Sequence, residues 1–353
     1  MRIGVISTPH ESTPPRRYGG VERVVHYLVE GLVKRGHEVI LFATGDSSTS
    51  AELRHLFESP RRPYSEYSEI MHLERALSEL KDLGVDFIHN HCNGIGGMRL
   101  LERASREVPL LTTLHGIFRR RQLSAAFEGL AFAAISNRQM ALHPFLRFVG
   151  RVYNGIEVSE YPFRKDKEDY LLYVGVMAPH KGPHIAINVA KSVRAKLILV
   201  GKVEAIYWDY FEKWIKPHLS ENVKFLGEVS EAEKRALMAG AKCVLFTSIH
   251  EEPFGLVMVE AMACGTPVIG FRKGAVPEVI ADGVSGYVVN NLRAMREAVR
   301  RVESIEPKAC RSHVEKEFKA ERMVEEYLGL YGALLREPLP ILEASGGTLR
   351  SDA

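Results

Sequence analysis

Residues 243–267 read CVLFTSIHEEPFGLVMVEAMACGTP, and the rest of the chain is best interpreted outward from this stretch. Its first part, Cys243 to Ser248, is a short apolar run with β-branched and aromatic residues, which is typical of a buried parallel strand. Pro253 then stiffens a turn, and Gly255 allows a ligand to approach the backbone. After this glycine, apolar residues recur at helical spacing: Leu256, Val259, Met262 and Ala263. The stretch therefore predicts a strand, a charged turn and a helix that begins near Gly255.

The turn before this helix combines a place for an anion with two carboxylates. The first N–H groups of a helix have no intrahelical partner and the helix dipole favours negative charge, so a phosphate would be stabilised there. Glu252 lies just outside the helix, and Glu260 lies inside it, up to ~12 Å away at a rise of 1.5 Å per residue. Carboxylates accept hydrogen bonds from sugar hydroxyls. The pair indicates a site for a diphosphate-linked sugar, although a surface loop with two solvated glutamates is the simpler alternative.

The complete pattern E-P-F-G-L-x-x-x-E-A-M-A-x-G-T-P resembles the paired-glutamate signature of family 4, the group 1 retaining glycosyltransferases. The resemblance implies their GT-B fold, an α/β architecture in which two Rossmann-like domains face each other across a cleft. It also implies that Glu252 contacts the hexose of the donor and that Glu260 holds the ribose. Backbone N–H groups at Gly255 and Leu256 would meet the diphosphate, and Phe254 is a further donor-binding residue of the motif.

Length and composition narrow the class of protein. A chain of 353 residues is long enough for two domains. With 47 basic and 44 acidic residues the charge is nearly balanced, which argues against a nucleic-acid partner. The four cysteines are scattered without a CxxC pair, so we expect reduced thiols and a cytoplasmic protein. The sequence predicts neither a signal peptide nor a membrane span, and peripheral contact with the inner face of a membrane stays open.

Strand-like runs alternate with helical patterns in two series, which predicts two parallel, doubly wound sheets. The first series is Arg2 to Ser7, Glu38 to Ala43, Asp86 to His91, Leu110 to His115, Phe132 to Ser136 and Gly150 to Tyr153. The second series, which begins at Tyr170, is LLYVG, KLILVG, VKFLGEV, CVLFTS, PVIGF and GYVV.

A polar joint near Asn154 to Pro162 separates the two series and gives the predicted domain boundary. We expect an N-terminal acceptor-binding domain over residues 1–155 and a C-terminal nucleotide-sugar-binding domain over residues 156–318. Residues 319–336 have apolar residues at helical spacing, and the resemblance implies that this helix crosses back onto the N-terminal domain. Residues 337–353 have the composition of a loosely ordered tail.

A Pro-rich loop after the first strand leads into Gly19 and Gly20 and then into a long amphipathic helix. The apolar face of this helix is Val21, Val24, Val25, Leu28 and Leu32. Glycines at a helix start permit close approach by an anionic ligand, but an ordinary flexible loop has the same composition. The stretch PPRRYGGVERVV, followed by RGHEVILFATGDSST, is similar to the family 4 opening and to a subgroup that includes pterin glucosyltransferases. In the family this glycine loop lines the cleft near the donor phosphates and the acceptor.

The second domain opens on LLYVGVMAPHKGPHIAI, in which a strand is followed by a loop with Lys181 ahead of a helix. A lysine there can place a positive charge on a diphosphate, although a solvated surface lysine also fits the pattern. The family pattern G-R-x-x-x-x-K-G is matched by Gly175, Lys181 and Gly182. Val176, however, occupies the position of the usual arginine. Two residues are candidates for the missing cation: Lys202, which follows the next strand, and His180, beside Lys181.

Histidines cluster at predicted strand ends of the first domain. His89 and His91 point the same way if DFIHNH is a strand, Cys92 follows them, and His115 ends another strand. Such a set could ligate zinc, but strand-end histidines are also common in clefts and no carboxylate or CxxC completes a site, so we expect no metal. In the resemblance, His115 within TLHG matches the histidine beside the donor sugar and the acceptor. Three arginines at 119–121 favour an anionic acceptor, a membrane surface or simply a solvated face.

The absence of two motifs argues against two classes of enzyme. The sequence has no GxxxxGK[ST] loop and no GxGxxG after a strand, so ATPases and dinucleotide oxidoreductases lose their main support. Together with the resemblance, the sequence predicts a metal-independent hexosyltransferase without a cofactor, which moves a hexosyl group with retention from a nucleoside diphosphate sugar to a small-molecule, glycan or lipid acceptor. The predicted catalytic residues are His115, Lys181 and Glu252. Two alternatives are a nucleotide-sugar epimerase of the same fold and a non-catalytic sugar-nucleotide-binding protein.

Overall fold

Parallel strands followed by helices recur along the chain in the computed structural model, which describes residues 1–17, 19–118, 127 and 129–336. The strands of the first sheet are β1 Arg2–Ile6, β2 Glu38–Ala43, β3 Glu52–His55, β4 Phe87–Asn90, β5 Leu110–Leu114, β6 Ala131–Ala134 and β7 Phe148–Arg151. The strands of the second sheet are β8 Tyr170–Val174, β9 Lys196–Val200, β10 Val223–Phe225, β11 Cys243–Phe246, β12 Val268–Phe271 and β13 Gly286–Val289.

Helices connect the strands and cover both sheets. Those of the N-terminal half are α1 Gly20–Lys34, α2 Glu66–Asp82, α3 Met98–Ala104 and α4 Asn137–Leu142. Those of the C-terminal half are α5 Pro183–Val193, α6 Trp208–Trp214, α7 Glu231–Gly240, α8 Leu256–Ala263, α9 Val276–Val279, α10 Leu292–Arg301, α11 Pro307–Glu317 and α12 Ala320–Arg336. Among the described helices, none has both the length and the hydropathy of a bilayer-spanning segment.

The predicted α/β fold with two Rossmann-like sheets is confirmed. The strand order is β3-β2-β1-β4-β5-β6-β7 in the first sheet and β10-β9-β8-β11-β12-β13 in the second, and the strand pairs are parallel. The predicted strands form with ends shifted by a few residues, and the four cysteines are free and buried. Strand β3 was missed because three of its four side chains are exposed, so this edge strand has no apolar run.

The strand order reverses once in each sheet, between β1 and β4 and between β8 and β11. In doubly wound sheets, ligands bind outside the carboxyl ends of the strands at such a reversal. The loops that follow these four strands contain Gly19, His91, Lys181 and Glu252. The topology therefore places the predicted site residues at the positions where such sheets bind ligands.

Helix α12 returns to the first sheet, as the family resemblance implied. Ile156 and Lys319 form a bridge where the chain leaves that sheet and comes back, and we propose the domain boundaries at these crossings. Tyr331 and Tyr327 of α12 are completely buried, and their hydroxyls lie 2.6 Å from His89 Nδ1 and 3.0 Å from Thr113 Oγ1. The predicted tail, residues 337–353, lies outside the described residues.

Candidate active site

A cavity of about 260 Å³ lies between the two sheets and is lined by residues from both. All but one of the predicted site residues line it: Gly19, Gly20, His115, Gly175, Lys181, Lys202, Glu252, Phe254, Gly255, Leu256 and Glu260. The exception is His180, which lies outside the lining. The structure thus brings residues from distant parts of the chain to one cleft.

The backbone at Gly255 makes the N-terminus of α8 accessible to the cavity. Gly255 has φ +93°, a left-handed conformation that side chains disfavour. A Cβ at this position would also lie 2.7 Å from Met258 Cε. Gly255 and Leu256 both line the cavity, so the first turn of α8 faces it. The helix predicted to start near Gly255 is confirmed, and its N–H groups and dipole favour an anion at this wall.

Glu252 is a buried carboxylate with three hydrogen-bonding neighbours. It is 7% exposed, and its Oε1 lies 2.5 Å from Lys181 Nζ, 2.9 Å from Ser248 Oγ and 3.2 Å from His250 Nε2. Burial alone would raise the pKa of Glu252, but the hydrogen bond with His250 and the charge of Lys181 outweigh burial and lower the pKa to about 2. Glu252 is therefore ionised at neutral pH and can only accept hydrogen bonds.

Glu260 is equally buried but has different partners. Its Oε1 lies 3.0 Å from Lys234 Nζ, 3.2 Å from the hydroxyl of Tyr161 and 3.7 Å from Arg23 Nε. Burial would raise the pKa of Glu260, but the charges of Lys234 and Arg23 overcome this effect and lower the pKa. Arg23 belongs to α1, so this contact spans the cleft, and its Nη2 also lies 2.7 Å from Glu231.

The apolar side chain of Val176 lines the cavity where the family pattern has an arginine, and it is 7% exposed. Lys202 lines the same cavity, and its Nζ lies 3.0 Å from Glu204. The ring of His180 packs against Tyr207 instead, and burial together with the charge of Lys181 lowers its pKa. A neutral imidazole cannot replace an arginine, so the geometry favours Lys202 over His180.

Several charged or polar residues of the cavity were not predicted, among them Arg23, Lys234 and Asn154. Arg23 and Lys234 lie in the first turns of helices that follow strands of the two sheets. A first turn at the carboxyl edge of a parallel sheet is a signal that could have identified both cations. Asn154 lies in the joint between the sheets, where the sequence showed only a change in polarity.

The histidines form a hydrogen-bonded wall. His91 Nδ1 lies 2.9 Å from His115 Nε2, and the two rings stack at 5.2 Å between centroids. His89 is bonded on both ring nitrogens, and Cys92 Sγ donates to the carbonyl of Ser7. Burial lowers the pKa of His115 to about 3 and the pKa values of His89 and His91 well below their usual range, so all three are neutral. Within the described ranges, no three potential metal ligands converge.

Two further observations concern arginines. The run at 119–121 lies outside the described residues, so its position relative to the cleft stays a prediction. Arg17, which precedes the glycine pair, lines the cavity, and its Nη1 lies 3.7 Å from Glu228 of the other wall.

Two Rossmann-like sheets with the site in the cleft between them define the GT-B class of glycosyltransferases. Comparison with known families agrees with this class. Residues 18–157 match the model "Glycosyltransferase Family 4", and residues 157–319 match the model "Glycosyl transferases group 1". The chain belongs to this family and is a glycosyltransferase, which confirms the resemblance found in the sequence.

Similar proteins span nearly the same length. A phosphatidyl-myo-inositol mannosyltransferase from Mycobacterium leprae is 26% identical over 324 residues, which cover 82% of this chain and 83% of that protein. The solved structure of AviGT4, a glycosyltransferase involved in avilamycin A biosynthesis, has a TM-score of 0.74 at 22% identity and covers 96% and 98% of the two chains. The Anabaena protein HepE, solved in complex with UDP and glucose, has a TM-score of 0.74 at 18% identity. The match covers 95% of this chain and 100% of HepE.

Proposed function

We propose that this glycosyltransferase moves a hexosyl group, with retention of anomeric configuration, from a nucleoside diphosphate sugar to an acceptor held on the N-terminal wall of the cleft. The observation that carries the proposal is the pair of buried, ionised carboxylates, Glu252 and Glu260, on either side of a helix N-terminus that faces the cavity. The similar fold of HepE, which was solved in complex with UDP and glucose, supports a sugar nucleotide as the donor.

In this proposal each group binds one part of the donor. Glu260 accepts hydrogen bonds from the ribose. These bonds replace part of the contact that Glu260 makes with Lys234 and Arg23. The diphosphate lies against the N–H groups of Gly255 and Leu256, where the dipole of α8 stabilises its charge. The hexose then extends towards Glu252, which accepts hydrogen bonds from its hydroxyls.

Charge develops on the departing diphosphate as the glycosidic bond breaks, so preorganised positive groups accelerate the step. Lys181 and the start of α8 supply that field. In our proposal the acceptor oxygen attacks the anomeric carbon on the face from which the diphosphate leaves, and the leaving phosphate oxygen takes the acceptor's proton. His115 lies on the opposite wall and is neutral, so it orients the sugar and the acceptor by hydrogen bonding and not by charge.

Lys181 has two partners in this scheme. In the unliganded cleft its ammonium contacts Glu252, 2.5 Å away. An ammonium group carries three donors, so Lys181 can keep this contact and still donate to a phosphate oxygen. The contact would hold Lys181 and Glu252 in place before the donor binds, which reduces the entropy lost on binding.

Product analysis tests the proposal. Purified protein is incubated with UDP-, GDP- and ADP-sugars, first alone and then with small-molecule, glycan and lipid acceptors, and with EDTA in a parallel series. Transfer of the hexose to an acceptor with unchanged anomeric configuration is the expected result, and EDTA should not abolish it.

Other outcomes separate the alternatives. Release of free nucleotide with an epimerised sugar, without any acceptor, would identify an epimerase. Binding of a sugar nucleotide without turnover would identify a binding protein, and strict dependence on Mg²⁺ or Mn²⁺ would refute the metal-independent reaction.

A further inference from the structure

His250 is a partner of Glu252 that lies outside the lining of the cavity. It precedes Glu252 by two positions, so it is not part of the E-P-F-G motif that carries the family resemblance. Its Nε2 lies 3.2 Å from Oε1 of Glu252. Because Glu252 is ionised and can only accept hydrogen bonds, the imidazole must carry a proton on Nε2 and donate it. His250 therefore acts on a cavity residue from behind.

The contacts of the Glu252 carboxylate fall on one of its two oxygens. Oε1 lies 2.5 Å from the ammonium of Lys181, 2.9 Å from the hydroxyl of Ser248 and 3.2 Å from the ring nitrogen of His250. Among the residues that the structure describes, no donor reaches Oε2. A carboxylate has acceptor sites on both oxygens, and this one lines the cavity. Oε1 is thus held by the protein, and Oε2 is available to a ligand.

His250 is the most restricted of the three donors. Its single Nε2–H lies in the plane of the ring. The one proton of the Ser248 hydroxyl is shared between Glu252 and the carbonyl oxygen of His180, which is 3.3 Å away. The Lys181 ammonium has three N–H groups and can contact either oxygen, and the terminal torsion of a glutamate is broad. Without His250 the carboxylate could rotate, and Lys181 could occupy both oxygens.

The backbone on both sides of His250 is fixed by hydrogen bonds. The N–H of Ile249 donates to the carbonyl oxygen of His180, 2.9 Å away. The carbonyl oxygen of Glu252 accepts from the N–H of Ala275, also at 2.9 Å. The ring of His250 lies edge-on to the ring of His180, with 5.2 Å between their centroids. The loop therefore holds the imidazole in the position from which it reaches Oε1.

We propose that His250 is a positioning residue, which holds Oε1 of Glu252 so that Oε2 accepts a hydrogen bond from a hydroxyl of the transferred sugar. The carboxylate is oriented before the donor binds, so less entropy is lost on binding. Lys181 stays beside Oε1 and keeps N–H groups for the diphosphate. This inference rests on the proposed function, because it requires a sugar beside Glu252.

The test compares a substitution that removes the ring donor with one that replaces it. His250→Phe keeps a ring and loses the N–H, whereas His250→Gln carries an amide N–H at a similar distance from the backbone. The probes are UDP, GDP and ADP and their glucose and mannose conjugates, and the pair that gives the wild type its largest thermal shift is carried forward to calorimetry. We expect His250→Phe to bind the sugar nucleotide about tenfold more weakly and the free nucleotide as the wild type does. His250→Gln should restore most of the affinity for the sugar nucleotide.

A double-mutant cycle shows whether His250 acts through Glu252. In the Glu252→Ala background, His250→Phe should cause no further loss of affinity for the sugar nucleotide. His55→Phe is the matched control, because His55 is exposed and its Nε2 lies 3.1 Å from a glutamate, Glu58, outside the cavity. This control should change the affinity for neither probe.

Three results would overturn the inference: a His250→Phe protein that binds both probes like the wild type or loses affinity for both equally, a His250→Gln protein no better than His250→Phe, or additive losses in the cycle. The His250 side chain is 38% exposed, so we expect the variants to fold with the melting temperature of the wild type. If His250→Phe does not fold, His250→Ala takes its place in the same comparisons. A wild type that neither binds nor turns over any of the sugar nucleotides would overturn the proposed function itself, and the inference with it.

Discussion

Glu252 and Glu260 are both buried and ionised, but they have different neighbours, and their substitution should have different effects. We predict that Glu260→Ala weakens binding of the free nucleoside diphosphate as well as the sugar nucleotide, because in our proposal Glu260 holds the ribose that both share. Glu252→Ala should leave the free nucleotide unaffected and weaken the sugar nucleotide. Hydrogen bonds to a charged group contribute about 1.5–3 kcal/mol, or roughly ten- to a hundredfold in affinity.

Calorimetric titration of both ligands into both variants measures these effects. Glu297→Ala, which removes an exposed carboxylate from α10, is the control. Equal losses for both ligands in both variants would show that the two ends of the donor are assigned wrongly.

Val176 leaves one side of the expected diphosphate without the usual arginine, and Lys202 is the candidate that lines the cavity. We predict that Lys202→Ala lowers kcat/KM at least about tenfold, equivalent to ~1.4 kcal/mol, because we propose that its charge stabilises the leaving group. Val176→Arg should restore part of this loss in the Lys202→Ala background. Steady-state turnover of the wild type, both single variants and the double variant measures the coupling.

Lys224→Ala is the matched control for Lys202→Ala, because Lys224 is exposed on the neighbouring strand β10. Additive effects of the two substitutions would argue against compensation. Attention would then move to Arg17, Arg23 and Lys234, which also line the cavity.

His72 gives a prediction about acid stability. It is completely buried in α2, its Nε2 lies 3.0 Å from the carbonyl oxygen of Ser7, and burial lowers its pKa to about 4. The unfolded chain binds this proton below a pKa of about 6.5, whereas the folded protein binds it only below about 4. The contribution of His72 to stability is therefore complete above pH 6.5 and is lost as the pH falls to about 4, at up to ~1.4 kcal/mol per pH unit.

Urea unfolding between pH 7 and pH 4 tests this prediction. His72→Gln keeps a hydrogen-bond donor but cannot be protonated, so its free energy of unfolding should fall less steeply than that of the wild type over this interval. Parallel curves for the two proteins would show that His72 is not held neutral.

Some residues of the site could be predicted from the sequence, and others could not. One side of the cleft could be predicted, because it contains Glu252, Gly255 and Glu260 from one continuous stretch. The strand, the turn and the helix N-terminus of that stretch are local features of the sequence. The pairing of Arg23 with Glu260 could not be predicted, because it joins residues that meet only when the two sheets face each other. Asn154 was missed for the same reason: the lack of a partner for its Oδ1 depends on the surrounding fold.

At the level of secondary-structure elements, the packing of α12 on α1 depends on one glycine. A Cβ at Gly31 of α1 would lie 2.5 Å from Val324 Cγ2 of α12. We predict that Gly31→Ala destabilises the protein by about 1–3 kcal/mol, the usual cost of an overpacked core, despite the better helix propensity of alanine. Gly329→Ala is the matched control within α12, because Gly329 is exposed and its Cβ would meet no atom within 4 Å.

Chemical denaturation of the two variants measures the contrast. Gly329→Ala should stabilise the protein by roughly 0.5–1 kcal/mol through helix propensity alone. Stabilisation by both substitutions would show that α12 does not pack closely on α1.

The elements themselves were largely predictable, because parallel strands buried on both faces form continuous apolar runs. The boundaries and the exposed edge strand β3 were not, since neither depends on an apolar pattern. The return of α12 was implied by the family resemblance. The residues that anchor it, such as Tyr331 against His89, could be found only in the structure.

In the whole molecule, polar contacts connect the two sheets beside the cavity. The N–H groups of Asn137 and Arg138, at the start of α4, each lie 2.7 Å from the carboxylate of Glu278 in α9. The Arg138 guanidinium also forms two hydrogen bonds with Glu251, at 2.9 and 3.1 Å. The sequence could predict two domains but not their relative position. Contacts between the domains join residues that are distant in the chain, so no local sequence pattern indicates them.

These contacts predict how the ligand-free protein responds to one substitution. A carboxylate at a helix N-terminus contributes about 0.5–2 kcal/mol through its hydrogen bonds and the helix dipole. Glu278→Gln removes the charge and leaves one acceptor oxygen, so the ratio of closed to open molecules should fall by a factor of about 2–30. The free variant should therefore have a larger radius of gyration by small-angle X-ray scattering than the wild type.

A saturating sugar nucleotide should restore the wild-type value, because a ligand held by both walls favours closure. Glu297→Gln, which removes an exposed charge that pairs with Arg293 within α10, is the control and should leave the scattering unchanged. If Glu278→Gln and Glu297→Gln scatter alike without ligand, the contact between α4 and α9 does not hold the cleft closed, and the position of the two sheets must depend on the buried pairing of Arg23 with Glu231 and Glu260 instead.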